Sequence, residues 1–142
     1  MKKGGGAFVF LGFSKRRFRY KILYASCELS VRKPLRWVGS SYNDLLGFPI
    51  EVRRSVGFQL DKIQSGGDPD DWKPFGSAGV GVREVRVREA SGAFRVMYVA
   101  KFASAIYVLH CFQKKSQATS GGDVQIARAR YQMVVKMEAG KK

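Results

Sequence analysis

The stretch "VREVRVREASGAFRVMYVAKF", residues 82–102, decides the fold. Two apolar phases of period two run through it, first Val85 and Val87, then Phe94, Val96, Tyr98, Ala100 and Phe102. That period marks strands with one buried face. Residues of one face pair with residues of the same face across a hairpin, because a slip of one position reverses every side chain. Pairing Val87 with Phe94, and so Val85 with Val96, leaves Glu89-Ala90-Ser91-Gly92 as a four-residue loop with glycine at the turn. The same register sets Arg86 opposite Arg95 on the other face, with Arg88 a step further out and Glu84 the only carboxylate in phase. Like charges directly opposite one another are unfavourable. Either that face is wet and the two heads diverge, or an anion belongs between them. Two guanidinium groups converging on one spot form a permanently charged, bidentate phosphate clamp.

Outward from the hairpin, "AIYVLHCFQ" (105–113) predicts a third antiparallel strand, which runs on into Lys114 and Lys115. Pairing Phe102 with Ala105 puts His110 on the arginine face beside Met97; pairing Phe102 with Ile106 buries it in the core. A lone histidine in an apolar strand is open to a structural or a catalytic reading. The turn-rich "DPDDWKPFGSAGVG" (68–81) is long enough for a functional loop and carries Lys73 beside Trp72. Lys73, Arg88, Lys114 and Phe112 would then collect cations and an aromatic ring near the arginines, a combination that grips RNA phosphates and stacks bases.

The remaining elements follow from period and punctuation. "PLRWVG" (34–39) predicts a short strand, and serines before Leu45 and Leu46 a short helix that stops ahead of Pro49. Pro49 suits the start of a second helix, whose Val52, Val56, Leu60 and Ile63 form one stripe before "SGG" ends it. A last helix is expected from Asp123 to Glu138, with Val124, Ala127, Tyr131 and Val134 inward and Gly140 past its end. The sum is an α+β domain: a small antiparallel sheet, helices packed on one face, a C-terminal helix, and the opposite face free.

Composition narrows the partners. Twenty-six Lys and Arg against eleven Asp and Glu give a net charge of +15 over 142 residues, the footprint of a chain that meets polyanions. One histidine and two cysteines, Cys27 and Cys111, give neither a metal-ligand spacing nor a disulfide framework, so no metal and no cofactor are expected, in a reducing, cytoplasmic setting. No apolar run reaches the ~20 residues needed to span a bilayer, and no membrane partner is expected. Residues 1–32 differ in character: the first thirty hold seven Lys and Arg and one Glu. "GGGAFVFLGF" resembles the apolar part of a targeting signal, but it is short, glycine-rich and stopped by "KRRFR". The segment is expected to be a basic extension, poorly ordered or non-native, ahead of a domain over 33–142.

The domain's segments "KPLRWVGSSYNDLLGFPIEVRRSVGFQLDKIQSG", "DWKPF", "GVREVRVREASGAFRVMYVAKF" and "YVLHCFQKKSQ" resemble, in one order, the phage-derived branch of the RelE/HigB toxins of bacterial toxin–antitoxin systems. The resemblance implies a RelE-like fold and a metal-independent endoribonuclease that cuts messenger RNA on the ribosome. It also implies attack of a ribose 2′-hydroxyl on the adjacent phosphate, leaving a cyclic phosphate and a free 5′-hydroxyl. By motif position it implies that Arg95 lies against the scissile phosphate, that Arg86 assists, and that Lys115 serves the leaving side. His110 stands as a partial substitute for the histidine-and-aspartate set of some relatives. The tyrosine that others place after the last cation has no counterpart in "SQATSGGD", which leaves the general base open. A cognate antitoxin, of helix-turn-helix type, is the implied protein partner.

Overall fold

The structure, a computed structural model, describes residues 32–141; apart from Arg32, the expected basic extension lies outside the described residues. The elements are β1 (Leu35–Trp37), α1 (Ser41–Leu46), α2 (Ile50–Gln64), β2 (Trp72–Pro74), β3 (Val82–Glu89), β4 (Gly92–Val99), β5 (Ile106–Lys114) and α3 (Gly121–Ala139). The strands form one sheet in the order β1-β5-β4-β3-β2. Among the described residues no helix is long and apolar enough to cross a membrane.

The hairpin register is the one the alternation predicts. Val87 faces Phe94, Val85 faces Val96 and Arg86 faces Arg95, and the ladder continues to Glu89 opposite Gly92. Only Ala90 and Ser91 remain unpaired at the tip, so the turn is tighter than the four-residue loop. Gly92 sits at φ 134°, in a region that a side chain rarely tolerates. Between β4 and β5 the register shifts once: Met97 faces His110 while Tyr98 faces Val108, which leaves Leu109 as the extra residue of a bulge. His110 is thereby placed beside Met97 on the arginine face, as in the first of the two registers considered, although Phe102 lies beyond the strand and does not pair with Ala105.

The α+β class with a C-terminal helix stands, and the structure corrects two details of it. The sheet is mixed, because β1 joins β5 in parallel, Leu35 beside Ile106 and Trp37 beside Val108. The helices lie on both faces. Val52, Val56, Leu60 and Ile63 of α2 and Leu45 of α1 pack on Val85, Val87, Phe94, Val96, Tyr98, Ile106 and Val108. Ala127 and Val134 of α3 pack with Met97, Val99, Tyr107 and Leu109, on the opposite side. The physical reason lies in β4, which after Arg95 is apolar in both phases, with every residue from Val96 to Val99 buried. A strand of that kind needs cover on two sides, and α3 supplies the second. The loop after α2 contributes a further element, the edge strand β2, with Trp72 opposite Val85 and Lys73 opposite Glu84. Its proline falls at the strand end, where an edge tolerates a missing donor. The strand at 93–102 ends at Val99, so Phe102 leaves the alternation and packs with the α3 cluster.

Two outcomes test this packing. Leu60 is 3% exposed and Phe58, on the same helix, 58% exposed. Leu60→Ala is expected to cost about 2–5 kcal/mol in denaturant unfolding. Phe58→Ala, which loses only an exposed contact with the Lys62 ammonium, is expected to cost under about 1 kcal/mol. The Cys111 thiol is pushed up to about 12, first by burial and then by Asp44, with Arg130 acting the other way. Peptide-mapped alkylation at pH 8 should therefore label Cys111 about 10³-fold more slowly in the folded than in the unfolded chain. Above an ordinary thiol pKa the unfolded chain releases this proton while the folded chain keeps it. The contribution of Cys111 to stability thus falls as pH rises from about 9 toward 12.

Candidate functional site

Because α3 covers only part of its face, three cross-strand rows of that face carry polar side chains. Lys73, Glu84, Met97 and His110 form one row; Arg86, Arg95 and Phe112 the next; Arg88, Ala93 and Lys114 the last. Pleating aims all of them to one side of the sheet. Lys115 follows directly after β5 and is exposed. All eight residues singled out from the sequence thus fall on this face or at its edge. Among the described residues, Arg88, Lys114 and Lys115 have no acidic partner, and Arg88 and Lys115 are exposed.

The two opposed arginines do not repel each other unchecked, because each has its own carboxylate. Arg86 donates from Nε (3.0 Å) and Nη2 (2.7 Å) to Oδ1 of Asp71, in the loop before β2, and its backbone N–H donates to the Asp71 carbonyl. Both side chains of this pair are partly exposed. Arg95 is buried, 5% exposed. Its Nη1 donates to the Phe94 carbonyl at 3.1 Å, and its Nε lies 3.8 Å from Oε1 of Glu84, close enough for attraction and too far for a hydrogen bond. Burial draws the Arg95 pKa below the ordinary arginine value; Glu84 opposes this, and Arg86 and Arg88 add to it. An arginine so placed still carries its charge. Lys73, at the rim, holds its Nζ 3.8 Å from the same Glu84 oxygen.

His110 is buried and its ring stacks on Phe112, centroids 5.0 Å apart, so Phe112 is engaged by the protein and nearly buried. His110 Nε2 and Asp123 Oδ1 are 2.7 Å apart. A carboxylate only accepts, so Nε2 carries the hydrogen in a neutral ring and Nδ1 keeps the lone pair. Asp123 belongs to the first turn of α3. Its backbone N–H donates to the N-cap Ser120 Oγ, whose hydroxyl donates back to Asp123 Oδ2. Beside His110, β1 ends at Trp37 while β5 runs on to Lys114, leaving a cleft of about 620 Å³ between α1 and α3. Arg130 of α3 spans it, donating to the bulge carbonyl of Leu109 at 2.9 Å and to Ser40 Oγ at 3.0 Å.

Among the described residues, five buried side-chain polar atoms lack a hydrogen-bond partner: both oxygens of Glu84, Nε of Arg95, Nδ1 of His110 and the Tyr98 hydroxyl. Four of the five lie on the arginine face, around Met97. Folded proteins leave few such groups, and each one asks for a reason. Among the described residues no group of three or more His, Cys, Asp or Glu is placed to hold a metal ion.

Sequence reasoning missed two carboxylates here. Asp71 comes from a loop with no period to read. Asp123 left a local trace, the capping pattern of Ser120 and Asp123 in "SGGD", but its meeting with His110 depends on α3 folding back over β5.

No curated protein matches the chain. Residues 43–132, more than half of the chain and containing all eight of the residues singled out from the sequence, match the family described as phage-derived protein Gp49-like (DUF891). That family is associated with the toxins of toxin–antitoxin systems. The chain belongs to the phage-derived Gp49-like family.

Proposed function

We propose that the chain is the toxin of a type II toxin–antitoxin pair, of RelE/HigB type, and that it cuts messenger RNA on the ribosome without a metal ion. The observation that carries this reading is the clustering of four unpartnered buried polar atoms, from Glu84, Arg95 and His110, on the one face that also bears unpaired cations. A face built only for stability has no use for buried groups without partners.

The chemistry follows from the groups available. His110, oriented by Asp123, takes the proton of a ribose 2′-hydroxyl through Nδ1. The 2′-oxygen bonds to the adjacent phosphorus, and the bond from phosphorus to the 5′-oxygen breaks. Negative charge grows on the phosphorane oxygens, where Arg95 and Arg86 act as fixed cations. The departing 5′-oxygen gains a proton on the side served by Lys115, giving a cyclic phosphate and a 5′-hydroxyl. Arg88, Lys114 and Lys73 bind the flanking phosphates, with affinity that falls as salt rises. The protein partner is a cognate antitoxin that neutralises this basic face.

A second reading, a basic RNA- or DNA-binding module without catalysis, is favoured by the engagement of both arginines with carboxylates and by the burial of His110 Nδ1. A purified translation system separates the two. Cleavage within codons is expected, with Arg95→Ala lowering its rate about 10²–10³-fold and His110→Ala about 10²–10⁴-fold. Intact messages together with tight RNA binding decide for the second reading.

A further inference from the structure

Glu84 is the one wholly buried carboxylate among the described residues, with 0% exposure, and neither of its oxygens accepts a hydrogen bond. Such a group is costly to the fold: a buried carboxylate is tolerated when paired and bonded, and apolar replacement of a buried ion pair is often neutral or stabilising. Its surroundings suggest what it does instead. Oε1 is the meeting point of two cations, Arg95 Nε from the depth of the site and Lys73 Nζ from the rim, each at 3.8 Å. On Arg95, Nε faces Glu84 and Nη1 is spent on the Phe94 carbonyl, and Nη2 makes no hydrogen bond or ion pair among the described residues. Nη2 is also not among the buried polar atoms that lack a partner, so it touches solvent.

We propose that Glu84 is a positioning residue: it fixes Arg95 by its inner edge so that Nη2 alone is presented to a phosphate, and it holds Lys73 alongside. This rests on the reading of the face as a phosphate-binding ribonuclease site. Glu84 itself does not touch the substrate. Its negative charge works against binding of a polyanion, and its benefit is geometric, since an arginine free to rotate loses the alignment that transition-state stabilisation needs. Two effects therefore separate that a merely structural role would move together. Loss of the carboxylate lowers cleavage while RNA binding stays equal or becomes tighter.

The experiment compares the wild-type chain with Glu84→Gln. Binding is measured with a single-stranded RNA oligonucleotide 2′-O-methylated throughout, which has no free 2′-hydroxyl to attack the phosphate; cleavage is measured on messages in the purified translation system. Glu84→Gln is expected to cut about 10²-fold more slowly, with an affinity for the oligonucleotide that is unchanged or higher. Cleavage within twofold of wild type, or losses of binding and cleavage in equal proportion, overturns the proposal. Absence of cleavage by the wild-type chain overturns the ribonuclease reading instead, and the positioning role is then judged by side-chain NMR of the unsubstituted protein. An ordered, slowly exchanging Arg95 Nε–Hε that persists when the oligonucleotide binds is the expected result. A mobile, rapidly exchanging one overturns the proposal, and this measurement also serves if Glu84→Gln does not fold.

Discussion

The pairing of Val87 with Phe94 is the constraint on which everything else depends. It is an apolar choice, made by side chains that must reach the α2 side of the sheet. Its consequence on the other side is electrostatic, since it obliges Arg86 and Arg95 to stand opposite each other. A slip of one residue would separate the arginines and also expose Val85, Val87, Phe94 and Val96, at about 1.5–3 kcal/mol for each large side chain returned to water. The repulsion between two charges at such a separation in a partly wet setting is of the order of a few kcal/mol. Burial wins, and the charge problem is left for carboxylates to solve.

The sheet solves it differently at its two ends. Toward the tip of the hairpin the arginine face is open, and Asp71 reaches Arg86 from a neighbouring loop. Toward the other end the same face becomes apolar, and α3 closes over Met97, Val99, Tyr107 and Leu109. Glu84, Arg95 and His110 sit at the border between these zones, which is why they are buried yet incompletely bonded. The bulge at Leu109 has a part in this. It lets β5 keep Val108 on the α2 side while turning His110 toward the border, and Arg130 caps the carbonyl that the bulge frees. The first turn of α3, capped by Ser120, then delivers Asp123 to His110.

Much of this was legible in the chain. Period two gave the hairpin and its register; the stripe of Val52, Val56, Leu60 and Ile63 gave α2, and all four are buried. What the sequence could not show is where distant pieces meet. The double-sided burial of "VMYV" is visible as a run apolar in both phases, but alternation assigns it a single inner face, and so α3 was expected beside α2. The parallel pairing of β1 joins residues some seventy positions apart, with only three residues to announce it. In the site, the cations were readable because they alternate within strands. Asp71 and Asp123 come from loop and helix start, where no period applies, and Glu84 was in phase on the face that the period marks as outer, so nothing in the alternation announced its burial.

The two carboxylates that answer the arginines are not equivalent, and the difference bears on how the face can work. Arg86 and Asp71 form a partly exposed pair, worth about 0–1 kcal/mol by the standard of such pairs. A phosphate that competes for Arg86 therefore displaces Asp71 at little cost. Glu84 has no water to retreat into, so its attraction for Arg95 is screened far less than that of the outer pair, and on the proposed positioning role it persists when a ligand arrives. The outer arginine is thus exchangeable and the inner one fixed. On the proposed function, a polyanion is captured by cations that change partners and then held against one that does not move, the division of labour that binding followed by electrostatic stabilisation of a breaking phosphate ester requires.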